Sequence, residues 1–485
     1  MTTPANMEVY LTIGAYLLIT LAIGFIGYKK GNNTPEDYFL AGRNTGPLVL
    51  FFTFVATNFS AFFFLGFSGE GYRIGYSYYA LMAFGTIFAA LSFYFIGFKT
   101  WRLGKEKGYV TPPEMIHGLS KSNTLKYLYL AVMLFFTLPY LALQPIGAGY
   151  ILSNLTGGDI PYFWGAAVLT LFIVFYVFIG GMNSVAITDA LQGILMFSLM
   201  GIAVWVVAKD LGGLEAANKE VFSTKPDLFS RAGGNDFFTP KKWFGLMILW
   251  TFCVPMFPQM FMRFFIADST RSLKISTVLY AVVPTLLFIC PVIIGVLGHL
   301  SFPDLVGKES DQILPMMLMK HAPSWLAAII MVGALAAFMS TLDSQLLALS
   351  TLFTRDIYIE NINKNATLKQ QVFVGRILVI IAAIAGLAIA YQPPNTLFLI
   401  AKQTFTGFSV LFPSTLALLH WKRTNNTGCI ASIIIGESLV LANFFNLAPE
   451  YVWMGFDPIV VIIGTTALAV FLPGCILGPT RQKPI

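Results

Sequence analysis

The residues best suited to chemistry lie inside one apolar run, Ala334-Leu-Ala-Ala-Phe-Met-Ser-Thr-Leu-Asp-Ser-Gln345. On a helix, Ala337, Ser340, Thr341 and Ser344 follow one another at i, i+3, i+4 and i+7 and share a face, with Asp343 at its edge. The rest of the run, 325–352, is hydrocarbon. Hydroxyls and a carboxylate at membrane depth are costly unless something uses them. A small hard cation is held by a cluster of oxygens. The first expectation is a cation site inside a bilayer.

A second polar cluster, Ala56-Thr57-Asn58-Phe59-Ser60-Ala61, lies about halfway through the run 46–67. Small and polar residues there permit unwinding, which frees backbone carbonyls; they also permit close helix packing. At 1.5 Å per residue, both clusters fall near the midplane of oppositely directed spans. The Ser340 and Thr341 hydroxyls could then meet carbonyls of Ala337, Ala56 and Phe59. These five oxygens carry no formal charge and suit a monovalent ion better than a divalent one. The competing reading is that the hydroxyls bond back to carbonyls one turn earlier.

Further ionisable groups sit within apolar runs. Asp189, Asp343 and Ser344 could hold a second cation or a proton; Asp189 could equally be an interface carboxylate reaching water. Lys402, beside Gln403, Thr404 and Thr406, needs a partner: a solute carboxylate, Glu437 or Asp343. Arg263 reads as a snorkelling anchor. Trp250, Pro255 and Pro258 predict a bend beside a cavity.

The elements that must position these groups are membrane spans. Hydrophobic residues make up 56% of the 485-residue chain and charged residues 11%, against about 25% charged in soluble domains. Mean hydropathy is +0.74. About thirteen apolar runs of roughly 20 residues can each cross about 30 Å of hydrocarbon. They fall near 9–28, 46–67, 78–98, 125–153, 161–180, 185–207, 243–266, 275–299, 325–352, 372–391, 395–419, 428–447 and 456–475. No soluble domain interrupts them, so residues 1–485 read as one transmembrane domain. Met1–Val9 lacks a basic stretch, and Lys29-Lys30 follow the first run, as expected of a retained first span.

The net charge of +7 does not read as a nucleic-acid surface. About 18 of the 30 basic residues lie in alternate loops, from Lys29, Lys30 and Arg43 to Arg481 and Lys483. That asymmetry predicts a cell-membrane protein with the N-terminus outside and the C-terminus cytoplasmic. Cys253, Cys290, Cys429 and Cys475 have no metal spacing. No phosphate loop or nucleophile elbow is present, so neither ATP-driven transport nor enzymatic catalysis is expected.

At these residues the chain resembles the sodium/solute symporter family, which includes sodium-coupled proline, pantothenate, monocarboxylate, sialic acid and sugar carriers. The resemblance covers nearly the whole length. It is carried by Asp37-Tyr-Phe-Leu-Ala-Gly-Arg43, Ala56-Thr-Asn-Phe-Ser60 with Gly66 and Gly69, Thr188-Asp189, and Pro258-Gln259 with Arg263. Ser340-Thr341 with Asp356-Ile357-Tyr358, and Trp421-Lys422-Arg423 with Gly428, complete it.

The resemblance implies an all-α, leucine-transporter-like core of five plus five inverted helices. The first repeat would cover about 46–207 and the second about 243–419, flanked by 9–28 and 428–475. It puts the main sodium site on Ala56, Phe59, Ala337, Ser340 and Thr341. A second site found in some members maps onto Asp189, Ser340, Asp343 and Ser344, with Asp343 standing where those members have serine. Asn58, Ser60, Phe62, Trp250, Lys402 and Gln403 are expected to face the solute. Asn58 and Gln403 match sugar-contacting positions, but Phe62 and Phe63 replace polar sugar contacts. Trp250 matches an aromatic of the proline carriers, whereas Val254 departs from their tyrosine.

The expected function is symport of sodium with a small organic solute, by alternating access and with no organic cofactor or obligate protein partner. The solute is expected to bear a carboxylate, as an amino acid or monocarboxylate does. The alternatives are an uncoupled facilitator or channel, or the same symporter carrying a neutral solute such as a sugar.

Overall fold

The computed structural model describes residues 7–30 and 41–480, without the side chains of 25–30, 41, 178–184 and 186. Most of the loop motif beginning at Asp37, and the basic residues Arg481 and Lys483, lie outside the described residues. Every apolar run of the sequence falls on helix. The elements are α1 (Met7–Lys30), α2 (Pro47–Asn58), α3 (Phe62–Arg73), α4 (Ser77–Lys107), α5 (Asn123–Leu155), α6 (Tyr162–Asp210), α7 (Pro240–Cys253) and α8 (Pro258–Ile266). They continue as α9 (Thr270–Leu287), α10 (Ile289–Leu297), α11 (Ser324–Phe353), α12 (Leu368–Tyr391), α13 (Leu397–Ser409), α14 (Leu411–His420), α15 (Asn426–Phe444) and α16 (Pro458–Ile476). The described residues form no strand beyond a single bridged pair, Thr45 with Ala267.

Among the described residues, nine helices are long and apolar enough to cross a membrane, or up to eleven if each bent pair is one span. The runs 161–180 and 185–207 join into the single helical stretch α6. Its 49 residues would measure about 73 Å if straight, far more than one bilayer core.

Both expected interruptions are present. Between α2 and α3 the chain bends by 63°. The ladder stops after the Phe59 amide bonds Val55 O, and Phe59 turns extended at φ −82°, ψ 93°. Thr57, Asn58 and Ser60 are poor helix-interior residues because their side chains compete for backbone partners. Between α7 and α8 the bend is 53°. There Pro255 and Pro258 withdraw two amide donors, and Phe257, preceding a proline, is extended.

α11 is the axis around which the rest is arranged. Every residue from Ile330 to Leu352 is buried, on all faces of the helix. It packs against α1, α2, α5, α6, α8 and α12. Its polar stripe therefore faces protein and not lipid.

Candidate functional site

The α2–α3 break and the polar stripe of α11 converge where the sequence places oxygen atoms. Ser340 Oγ donates to Ala56 O at 2.7 Å and to Ala337 O at 2.9 Å. Thr341 Oγ1 donates to Ala56 O and to Phe59 O, each at 3.2 Å. All five residues are at most 1% exposed. The carbonyls are available because the helix has stopped: the Phe63 amide bonds Ser60 O at 3.0 Å rather than Phe59 O one residue earlier. The hydroxyls thus reach across to another helix as well as back along their own. A cluster of neutral oxygens in a dry interior is the donor set a monovalent hard cation takes. Among the described residues no group of three His, Cys, Asp or Glu could hold a metal.

A charged cluster adjoins it. Arg263, on α8, is 1% exposed. Its Nη2 donates to Ser344 Oγ at 2.6 Å, Thr57 Oγ1 at 3.0 Å and Asp189 Oδ2 at 3.2 Å. Arg263 is therefore not an interfacial anchor. The 53° bend ahead of α8 turns it into the protein, where it joins α2, α6 and α11. Thr53 also donates to Asp189 Oδ2. Asp343 accepts from Tyr176 and from Ser344. One guanidinium faces two carboxylates, and Asp189 Oδ1 is buried with no hydrogen-bond partner among the described residues.

Beside the break lies a cavity of about 30 Å³ walled by Asn58, Phe59, Phe62, Phe63, Met82, Thr86, Tyr140, Trp250, Val254, Phe257, Phe288 and Phe405, with Phe67 and Gly85 completing it. Phe62 stacks on Trp250 with ring centroids 5.4 Å apart and on Phe398 at 6.4 Å. Asn58 Nδ2 donates to Tyr280 OH at 2.6 Å. Trp250 Nε1 is buried with no hydrogen-bond partner among the described residues. Ser60 is buried near this cavity and accepts from the Phe62 amide at 3.2 Å.

Three of the residues expected to face the solute, Ser60, Lys402 and Gln403, do not line this cavity. Lys402 pairs with Asp457 at 2.6 Å, not with Glu437 or Asp343. Asp457 caps α16, which packs beside α7 and so comes within reach. Gln403 is exposed, because it points away from the face of α13 that carries the buried Thr404 and Phe405.

A larger cavity of about 730 Å³ opens at the end of the bundle that bears segments 225–242 and 299–307, and Lys402, Lys242, Arg73 and Phe398 line it. At its floor Arg73 bridges Glu70 and Asp311, and Asp311 Oδ2 accepts the Leu397 amide at 2.8 Å. Sequence reasoning missed this bridge, Tyr176 and Gln144. Gln144 had a readable signal, a long polar side chain in mid-span next to Pro145.

The model of the sodium:solute symporter family matches residues 38–436. Sodium/proline symporters of Staphylococcus aureus, among them those of strains JH9, Mu3 / ATCC 700698 and COL, are 28% identical over 450 residues, covering 90% of this chain and 86% of theirs. Among solved structures, a Na+-coupled sialic acid symporter in a substrate-bound outward-open state superposes with a TM-score of 0.80 at 18% identity, covering 99% of this chain and all of that one. A nucleobase-cation-symport-1 family transporter, closed with bromovinylhydantoin bound, gives a TM-score of 0.60 at 13% identity, covering 93% of this chain and 97% of that one. The two structural likenesses bear on the fold, which is the leucine-transporter-like helical architecture.

Proposed function

The chain belongs to the sodium:solute symporter family, and we propose that the solute it carries is a small carboxylate-bearing molecule, an amino acid or a monocarboxylate. It is a multi-pass membrane transporter that couples solute movement to sodium, and not an enzyme. The observation that carries the reading of the ion site is the contact of Ser340 and Thr341 with the freed carbonyls of Ala56 and Phe59. With Ala337 O, these atoms are the proposed ligands of the coupling sodium ion. An ion there would replace hydroxyl-to-carbonyl hydrogen bonds, so binding would tie α11 to the α2–α3 break.

The adjoining cluster offers a second, weaker position. With both carboxylates ionised, Arg263 leaves Asp189 and Asp343 one negative charge in excess. A second cation or a proton at Asp189, Asp343 and Ser344 would neutralise it.

The solute reading rests on the small aromatic cavity. Its walls suit a compact apolar body, and its few polar groups suit one polar end. The indole N–H of Trp250 is an unused donor on that wall, and a buried donor left unpaired costs free energy that a solute carboxylate would recover. Lys402 no longer supports the carboxylate, since Asp457 neutralises it. The scarcity of polar side chains weighs against a sugar. The kinship with sodium/proline symporters makes proline the first solute to try. The basic loops favour an outside N-terminus and a cytoplasmic C-terminus, which makes the 730 Å³ cavity extracellular.

Purified protein in liposomes tests this directly. Inward sodium gradients should drive accumulation of proline or a monocarboxylate, and potassium gradients should not. The Ser340→Ala/Thr341→Ala double variant should lose sodium-dependent uptake. Unchanged sodium dependence in that variant would remove the ion assignment, and accumulation of sugars alone would remove the solute class.

A further inference from the structure

The two carbonyls at the break do not stay free unaided. In a continuous helix the Ala61 amide would bond Thr57 O, the Phe63 amide would bond Phe59 O, and the chain would close through Ser60. A partner that takes the Ala61 amide elsewhere opposes that closure. The partner is Gln144 on α5, whose Oε1 accepts the Ala61 N–H at 2.9 Å. Gln144 is fully buried, so water is not on hand to substitute. Its Nε2 donates to Tyr140 O at 3.2 Å, and Tyr140 lines the aromatic cavity. One turn further along α5, Gly147 lets the helix press onto the same place. A Cβ on Gly147 would lie 2.6 Å from Ala61 Cβ and 2.8 Å from the Phe338 ring, next to Ala337. α5 therefore packs beside both halves of the proposed ion cage, against Ala61 on one and Phe338 on the other, and Gln144 is its polar contact with the break.

We propose that Gln144 is the positioning residue that holds the α2–α3 break open, aiming the Ala56 and Phe59 carbonyls at the coupling ion and joining that cage to the solute cavity. This rests on the reading of Ser340, Thr341 and the three carbonyls as sodium ligands. It goes beyond that reading because Gln144 is not itself a ligand. The chemistry asked of it is narrow. The side chain must be long enough to reach the amide and must present an acceptor oxygen. Glutamate meets both requirements, and as the neutral acid its O–H can take over the donation to Tyr140 O. Asparagine is one methylene too short.

The test is radiolabelled sodium binding to the full-length protein in lipid nanodiscs, without solute, for the parent, Gln144→Ala, Gln144→Asn, Gln144→Glu and Ser340→Ala/Thr341→Ala. Alanine and asparagine should raise the half-saturating sodium concentration about tenfold, roughly the effect of one lost buried hydrogen bond. Glutamate should stay within about threefold of the parent. Proline binding at saturating sodium should shift much less than sodium binding in the alanine variant, which a general loss of packing would not produce. Should alanine fail to fold, the contrast between asparagine and glutamate decides. Parent-like sodium affinity in both the alanine and asparagine variants, with binding lost in the double variant, overturns the positioning role. Sodium binding retained by the double variant overturns the ligand assignment instead.

Discussion

Arg263 has two requirements at the residue scale: it must be kept out of lipid, and its charge must be matched. Three oxygens on α2, α6 and α11 receive a single Nη2 atom, and one of them belongs to Asp189. Replacing Arg263 with methionine would strand that carboxylate in a dry interior. Breaking such a pair costs about 3–5 kcal/mol, so the thermal midpoint of Arg263→Met should fall sharply. Adding Asp189→Asn should restore part of the loss, and a double-mutant cycle measures the coupling. Additive losses would mean that the pair does not interact. Trp250 and Lys402 make a second contrast. Trp250→Phe keeps the ring stacked on Phe62 but removes the indole N–H, and should raise the KM for a carboxylate solute about tenfold. Lys402→Met should leave KM within about twofold, because its charge is spent on Asp457. The reverse pattern would return Lys402 to the solute. The sequence shows that Lys402 needs an anion but not which one, since Asp457 is 55 residues away and meets it only once α16 packs beside α7.

At the scale of elements, the breaks were the most legible part of the chain. Ala56–Ser60 and the pair Pro255 and Pro258 carry local signals, small polar residues in one case and missing amides in the other, and local signals survive folding. What a break does to its neighbours is not local. Arg263 looked like an anchor because it lies near the end of an apolar run, and only the 53° turn before α8 makes that end an interior position. The Arg73 bridge was illegible for a similar reason: Asp311 must fold back from a polar segment to reach α3. The crossing of α3 and α10 is equally hidden, although its glycines are plain in the sequence. A Cβ on Gly295 would stand 2.0 Å from Ser68 O, and one on Gly71 would stand 2.6 Å from Val292 O. Both obstacles are backbone, which cannot rotate aside. Gly295→Ala should therefore push the two helices apart and cost about 1–3 kcal/mol, read as a lower thermal midpoint. A parent-like midpoint would show that the crossing has slack the structure does not reveal.

For the whole molecule, the two cavities define a state and what must change to leave it. The inner cavity, about 30 Å³, has room for water but not for an amino acid. The outer one, about 730 Å³, is lined by Phe398, which stacks on Phe62 of the inner wall, where Trp250 and Phe405 pack beside it. A solute bound in the proposed inner site would enter only once those rings part. The rings are borne by α3, α7 and α13, and the bridge of Arg73 with Glu70 and Asp311 ties α3 to the segment that also caps α13 through Leu397. Opening by this route would therefore move α3, segment 307–312 and α13 together. A sodium ion can favour it only by binding the opened form more tightly than the closed one. Binding at the proposed site on the α2–α3 break would place the ion on one of these elements, which is where such a preference can arise. Thr86 reports the outcome, since it lies on the inner wall and is buried. In a background without the four native cysteines, Thr86→Cys should react with a membrane-impermeant thiol reagent several-fold faster in sodium than in potassium. Added solute should slow it again. Asp311→Asn, which weakens the bridge, should speed the reaction even in potassium. A rate indifferent to sodium would mean that the ion is bound without biasing this opening, and coupling would then have to act on the opposite face of the bundle.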